Sequence, residues 1–186
     1  MKFIVSRKPK EYLKQGPTGC GAFSTKGILS AYGRDDKTHP FQYYPPSIVP
    51  FIAPLGTWVK ILNAYGMNAK LQSMQGLSNE QRLNALKELL RNDTPVMLCI
   101  GNGYRGNGIW SKARWWFISH WITLWGFDDE QDIFYIYDSA VPLRYRNNSI
   151  PIGNISRTYA QVLRDLGGGQ PWWWRDTYIT ISPRSF

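Results

Sequence analysis

A chain of 186 residues is long enough to bury a core, and we expect residues 1–186 to form a single domain. Hydrophobic residues make up 43% of the chain and nine residues are Trp, so the composition excludes an intrinsically disordered protein. Lys and Arg outnumber Asp and Glu by 22 to 13, and the net charge of +9 favours acidic partners such as nucleic acid, anionic lipid or a cell-wall polymer.

Cysteine usage and the N-terminus bear on location. The cysteines are Cys20 and Cys99, and Cys99 lies in an apolar run, so we expect no disulfide framework and a reducing compartment. The apolar run 3–5 is far shorter than the h-region of a signal peptide, and no run reaches the ~20 apolar residues of a membrane-spanning helix. We therefore expect no membrane span, and a protein that is cytoplasmic or exported without an N-terminal signal peptide.

The stretch 15–33, Q-G-P-T-G-C-G-A-F-S-T-K-G-I-L-S-A-Y-G, passes from turn residues into an amphipathic segment. Its apolar spacing predicts a helix from about Cys20 to Tyr32 that stops at Gly33. Free backbone N–H groups and the helix dipole favour a thiolate in a first turn, so Cys20 is a candidate nucleophile. The alternative is a small, inert cysteine in a core helix.

Gln15 precedes the cysteine by five residues, with Gly16, Pro17 and Gly19 in between. A turn there brings its amide N–H close to the start of the helix. Together with the backbone N–H of Cys20, Gln15 is a candidate donor to a developing oxyanion.

Between residues 33 and 95 the pattern is mainly helical. The segment 33–50 is rich in Pro and charge, which predicts a loop. His39 within it is interpreted as a solvated loop histidine, and the alternative is a catalytic histidine. A helix is predicted over Leu55 to Tyr65 and a short edge strand over Ala69 to Ser73. Ser78 begins S-N-E-Q, a capping box that predicts the start of another helix.

The run V-M-L-C-I at 96–100 is apolar throughout and bounded by turn residues, which is typical of a central strand, with Cys99 in the core. The following G-N-G-Y-R-G at 101–106 matches a dinucleotide-binding fingerprint by letters alone. Because Asn and Gly follow where a helix would have to begin, we interpret it as a glycine-rich loop.

A hairpin is predicted next. Trp115 to Phe127 has strand composition, 128–132 is a polar turn, and 133–138 is a second strand. With the turn centred near residues 129 and 130, His120 lies across from residues near 138 and 139. His120 and Asp138 therefore share one end of the sheet.

The C-terminal part contains a helix over 158–166, which Ser156 is predicted to cap, and a closing strand over Thr177 to Ser182. Trp172 to Trp174, beside Arg175, are interpreted as packing beneath that strand. The alternative is stacking on a sugar or a base.

These candidates form a chemical set. Cys20 is the nucleophile, His120 the base, Asp138 the group that orients the base, and Gln15 the oxyanion donor. The alternatives are a neutral core histidine for His120 and a turn residue for Asp138.

This order of residues resembles the papain-like cysteine peptidases of the C39-like group. The resemblance is carried by Q-G-P-T-G-C-G at 15–21, S-H-W-I-T-L-W-G-F-D at 119–128 and F-Y-I-Y-D-S at 134–139. It implies an α+β papain-like fold, in which a helical lobe carrying the cysteine packs on an antiparallel sheet lobe carrying His and Asp. It also implies cleavage of a peptide or amide bond with no metal or organic cofactor. Relatives often have Pro after the Asp, whereas Ser139 follows here.

The implied partner is a peptide or amide substrate, and the positive charge favours an acidic one. A cell-wall amidase, or an exported antibacterial toxin with an immunity or inhibitor protein as partner, is an alternative of the same fold, as is an acyltransferase. Outside the enzymes, the alternative is a basic binding module for nucleic acid or an anionic polymer that uses the Trp and Arg stretches.

Overall fold

The computed structural model describes residues 1–35, 37–44, 53–105 and 108–184. Within these ranges the strands are β1 (Lys2–Ile4), β2 (Met67–Ser73), β3 (Val96–Gly101), β4 (Ser119–Asp128), β5 (Ile133–Tyr137), β6 (Ile155–Thr158) and β7 (Thr177–Pro183). The helices are α1 (Cys20–Ala31), α2 (Pro40–Tyr43), α3 (Gly56–Ala64), α4 (Asn79–Arg91), α5 (Lys112–Phe117) and α6 (Tyr159–Leu166). Short 3-10 turns lie at Leu143–Tyr145 and Trp172–Trp174.

The strands form an antiparallel sheet in the order β2-β7-β3-β4-β5-β6. Strand β3, the predicted apolar central strand, lies between β7 and β4 and is buried along its length. Strand β2 lies at the edge, as predicted. Two strands pair with the same edge of β4: β3 pairs with its first half, and β1 pairs with Gly126 to Asp128.

Helices cover both faces of the sheet. The ring of Tyr137 lies against Gly27 of α1, whereas the ring of Phe127 lies under Lys87 of α4. Phe127 pairs with Phe134, which is on the opposite face from Tyr137 because strand side chains alternate. Helix α1 therefore covers one face, and α4 with its neighbour α6 covers the other.

Local signals set several boundaries as predicted. Helix α1 begins at Cys20, and α4 begins after Ser78, whose hydroxyl accepts a hydrogen bond from the Gln81 N–H while the Gln81 side chain accepts one from the Ser78 N–H. Helix α3 lies within the predicted range 55–65, and β7 covers the predicted closing strand. Capping and apolar spacing act within one or two turns, which explains why the sequence predicts them.

The strand predicted over Trp115 to Phe127 is wrong in its first part. Residues 115–117 belong to α5, which Ser111 caps by accepting a hydrogen bond from the Arg114 N–H, and β4 begins only at Ser119. The Trp115 indole donates to the Arg164 carbonyl, and the Trp115 carbonyl accepts from the Gly169 N–H. These contacts with the distant segment 164–169 stabilise a short helix despite the strand propensity of its aromatic residues.

Two smaller predictions are also wrong. Ser156 does not cap α6, because it lies within β6 opposite Tyr135; Thr158, at the end of that strand, caps the helix instead. Part of the predicted loop 33–50 is the short helix α2, and His39 caps it by accepting a hydrogen bond from the Phe41 N–H at 3.3 Å. A proline at the first helical position favours this turn. The remainder of that loop, 45–50, lies outside the described residues, as does part of the glycine-rich loop.

The three consecutive tryptophans differ in their exposure to solvent. Trp174 is buried and packs as predicted, whereas Trp172 and Trp173 are each 60% exposed and stand edge to face with each other. A 3-10 turn aims successive side chains about 120° apart, so the three rings cannot share one environment.

The register of the β4–β5 hairpin depends on a bulge. Near the turn Asp128 pairs with Ile133, but beyond an irregularity between Leu124 and Gly126 the pairing becomes Thr123 with Tyr137. Continued by three residues, this register sets Ala140 opposite His120, one position beyond the predicted partners. Asp138 then lies diagonally across on the same face as His120.

No helix in the described ranges is both long enough and apolar enough to span a bilayer.

Candidate active site

Cys20 occupies the first position of α1, and the conformation of Gly19 puts it there. Gly19 has φ = 102°, a left-handed conformation that side chains rarely adopt, and a Cβ atom at this position would lie 2.6 Å from the Phe41 ring. The chain therefore turns directly into the helix with the thiol at its start. Cys20 is half-buried, whereas Cys99 is buried in β3, and both thiols are free.

The Cys20 thiol faces the His120 imidazole. Burial by itself would raise the pKa of the thiol, but a hydrogen bond with His120, the imidazole charge and the N–H groups of Trp121 and Gly21 lower it below its ordinary value. The pKa of Cys99, by contrast, is raised by burial. The two cysteines should thus differ in reactivity, because the groups around Cys20 outweigh its burial, whereas burial dominates at Cys99 despite a hydrogen bond with Thr177.

His120 is the second residue of β4 and is buried. Its Nε2 atom lies 2.7 Å from Asp138 Oδ1, which leaves Nδ1 for the hydrogen bond with Cys20. Burial would lower the pKa of His120, but the charge and hydrogen bond of Asp138, together with Cys20, raise it to about 10. The arrangement favours a thiolate and imidazolium pair at neutral pH.

Asp138 follows β5 directly and is buried. Burial would raise its pKa, but the positive charge and hydrogen bond of His120, the charge of Arg157 and the Ala140 N–H lower it to about 2. Arg157 Nη2 donates to Asp138 Oδ2 at 2.5 Å, and Ala140 N donates to Oδ1 at 2.9 Å. The carboxylate therefore stays ionised and has both oxygens held.

Arg157 belongs to a buried ionic chain that the sequence analysis missed. Its second guanidinium nitrogen, Nη1, lies 3.4 Å from Asp165 Oδ2, and Asp165 in turn binds Arg164 at 2.8 Å. Arg157 pairs with Phe134 across the sheet, so its side chain lies on the face that carries Asp138. A single Arg in a short strand gives no sequence signal for this role, because it depends on the pairing of β5 with β6.

Gln15 contacts the residue after Asp138. Its N–H donates to the Ser139 carbonyl at 2.9 Å, and its Oε1 accepts a hydrogen bond from Ser139 Oγ at 2.6 Å. Gln15 and Ser139 are both buried. The structure thus brings Cys20, His120 and Asp138 into direct contact and attaches Gln15 to the same strand end, whereas their roles in catalysis stay predictions.

A cavity of about 430 Å³ is lined in part by Asp138. The residues that line it include Arg105, Arg114 and Arg157, and Asp138 is the acidic residue among the lining residues that the structure describes. The Nε atom of Arg114 is buried and has no hydrogen-bond partner in the described part of the chain. Since Asp138 is already engaged by Arg157, the cavity has an excess of positive charge.

The chain is similar to known proteins in sequence pattern and in fold. The model of the Peptidase_C39 like family matches residues 7–167. The search of curated proteins finds no match.

Among solved structures, the chain is similar to a C39-like peptidase from Bacillus anthracis, with 14% identity, a TM-score of 0.59 and coverage of 100% of both chains. It is also similar to a double glycine motif protease from an AMS/PCAT transporter in complex with the leader peptide, with 15% identity, a TM-score of 0.57 and coverage of 98% of this chain and 99% of that chain. The peptidase domain of Streptococcus ComA has 13% identity and a TM-score of 0.56, with coverage of 94% and 100% respectively. At these identities the likeness concerns the fold.

Proposed function

The chain belongs to the Peptidase C39-like family and has the papain-like fold, as the sequence predicted, and we propose that it is a cysteine peptidase with Cys20 as its nucleophile. The observation that carries this proposal is the hydrogen-bonded series Cys20, His120 and Asp138. Within it the pKa of the thiol is lowered and the pKa of the imidazole is raised. Such a pair supplies a nucleophile and a proton donor at neutral pH.

In the first half of the reaction, the Cys20 thiolate forms a bond to the carbonyl carbon of the scissile amide, and the carbonyl π electrons move to oxygen. When the oxyanion collapses, the C–N bond breaks and the leaving nitrogen takes the proton of the His120 imidazolium. In the second half, His120 accepts a proton from water, whose oxygen attacks the thioester. The acid is released and the thiolate is regenerated.

Asp138 and Gln15 assist at different steps. Asp138 holds the imidazole with Nδ1 towards the thiol and stabilises its positive charge, as the acidic member of such a series does. Gln15, with the Cys20 N–H at the start of α1, donates to the oxyanion. The Gln15 side chain has its oxygen bound by Ser139, which leaves the amide N–H₂ as the group free to donate.

We propose in addition that the peptide substrate is acidic near the scissile bond. The Arg-lined cavity supports this, because it begins at Asp138, one imidazole ring away from Cys20. Three extended residues span about 10 Å, so we expect the acidic side chain to lie within about three residues of the scissile bond. Arginine is suited to carboxylates because its planar fork donates two parallel hydrogen bonds.

The activity is tested with a positional-scanning library of internally quenched peptides. The parent protein is expected to cleave a subset of the library, and Cys20→Ala to cleave none, while Cys99→Ala, which removes the other thiol, retains cleavage. His120→Ala should lose nearly as much as Cys20→Ala, whereas Asp138→Asn keeps a measurable fraction because its imidazole remains. Cleavage that persists in a folded Cys20→Ala protein would exclude the proposed nucleophile.

The preference for acidic peptides is tested with peptide pairs that differ only by Glu in place of Gln. Arg114→Gln should lower the Glu-over-Gln ratio of kcat/KM, while Lys112→Gln, on the exposed surface of the same helix, should leave the ratio unchanged despite the same loss of charge. If both variants lower the Glu-over-Gln ratio equally, the overall charge and not the cavity attracts the substrate.

A further inference from the structure

Ser139 stands where related sequences often have Pro, and it makes two contacts with Gln15. Its hydroxyl donates to the Gln15 side-chain oxygen at 2.6 Å, and its carbonyl accepts from the Gln15 N–H at 2.9 Å. We propose that Ser139 is a positioning residue, which holds the Gln15 amide in the orientation that donates to the oxyanion. This inference rests on the proposed peptidase function.

Orientation matters because the two ends of an amide have opposite polarity. If the Gln15 amide were rotated by 180°, its oxygen would replace the N–H₂ group and would repel a developing negative charge. In that rotated state the Ser139 hydroxyl would lose the acceptor for its proton. Since Ser139 is fully buried, an unsatisfied O–H donor there would cost about 1–3 kcal/mol. The hydroxyl therefore selects one of the two amide orientations.

Asn154 holds the backbone of Asp138, the residue before Ser139, through both its N–H and its carbonyl group. Asn154 Oδ1 accepts from the Asp138 N–H at 2.9 Å, and Asn154 Nδ2 donates to the Asp138 carbonyl at 2.9 Å. Consecutive residues of one fixed segment thus hold the two parts of the site: Asp138 orients His120, and Ser139 orients Gln15. Removal of the Ser139 hydroxyl should therefore impair the oxyanion donor without changing the thiolate and imidazolium pair.

Two small reagents separate these effects without a known peptide substrate. Iodoacetamide alkylates a thiolate by displacement and forms no oxyanion, whereas p-nitrophenyl acetate acylates the thiolate through a tetrahedral oxyanion. With Ser139→Ala we expect the alkylation rate of Cys20 to stay within about twofold of the parent. The acylation rate should fall by about 10- to 100-fold, somewhat less than the 10²–10³ that loss of a whole oxyanion donor costs. Ser149→Ala, an exposed serine in the loop that follows, serves as the matched control and should change neither rate.

Gln15→Ala and the double variant complete the test. If Ser139 acts through Gln15, Ser139→Ala should lower acylation in the parent but have little further effect once Gln15 is alanine. Ser139→Thr, which restores the hydroxyl, should recover part of the lost rate. Thermal melting of every variant separates these effects from loss of the fold.

The outcomes distinguish this inference from the proposed function. If Cys20 of the parent is not acylated, the proposed peptidase function fails. If the parent is acylated and Gln15→Ala is slow while Ser139→Ala reacts at the parent rate, the inference alone is wrong. A Ser139→Ala protein that loses alkylation and acylation equally would also overturn it, because the hydroxyl would then support the nucleophile and not the oxyanion donor.

Discussion

Replacement of His120 by Ala tests the reactivity of Cys20 directly. In the parent, the hydrogen bond and charge of His120 lower the pKa of the Cys20 thiol below its ordinary value and so favour the thiolate. Without the imidazole, burial still raises the pKa against the opposing effect of the Trp121 and Gly21 N–H groups, so the pKa of the thiol should rise towards the ordinary value of about 8.5. A thiol with a pKa of about 8.5 is about 3% ionised at pH 7, so alkylation of Cys20 should slow, by up to about 30-fold if the parent thiol is fully ionised.

The assay is iodoacetamide labelling across pH, with the modified peptides quantified by mass spectrometry and Cys99 as an internal, buried reference. The parent should lose reactivity as the pH falls through the pKa of Cys20, which lies below the ordinary value of a thiol. Peptide hydrolysis, which also needs the imidazolium proton, should decline as the pH rises through about 10, the raised pKa of His120. His39→Ala, a change at the histidine that caps α2, should leave the labelling profile unchanged.

The reasoning would be refuted by either of two results. One is a parent protein whose labelling follows an apparent pKa of 8.5 or above. The other is a folded His120→Ala protein that is labelled at the parent rate at pH 7. In both cases Cys20 would be an ordinary thiol, and its position at the start of α1 would carry no chemical consequence.

Three further predictions concern stability and charge. Arg157→Met should lower the free energy of unfolding, measured by urea denaturation, by about 3–5 kcal/mol, because two buried aspartates lose their shared cation. A loss below about 1 kcal/mol would contradict the ionic chain. Gly21→Ala should lower the free energy of unfolding by about 1–3 kcal/mol, since the added Cβ would lie 2.1 Å from the Trp58 ring. Gly56→Ala, with open space around the added Cβ, should cause no such loss. Equal melting temperatures of the two variants would argue against the close packing of α1 on α3. Affinity for an anionic partner should fall steeply with salt while turnover of a small neutral substrate does not, and parallel salt dependences would place the excess charge in the active site itself.

The local elements that position Cys20 and His120 were predictable from sequence. A glycine-rich turn followed by apolar residues at helical spacing places Cys20 at the start of a helix, and the S-N-E-Q capping box marks the start of α4. The polar turn at 128–132 predicts that two apolar runs return antiparallel. These signals depend on residues within one or two turns of one another, which is why periodicity and capping rules capture them.

The tertiary structure decided which side chains meet. The predicted hairpin left residues 138 and 139 as alternatives opposite His120, and a slip of one residue exchanges the two faces of a strand. The irregularity between Leu124 and Gly126 selects the face, because the extra residue brings Asp138 and not Ser139 to the His120 side.

The partners of the predicted site residues likewise come from segments far away in the chain. Arg157 reaches Asp138 only because β6 pairs with β5, and Ser139 meets Gln15 across a separation of 124 residues. Short-range patterns determine where a helix or strand begins, because their energies arise between near neighbours. Which buried polar groups satisfy one another depends on the packing of the whole sheet and its helices, and this information is spread over residues that no local pattern connects.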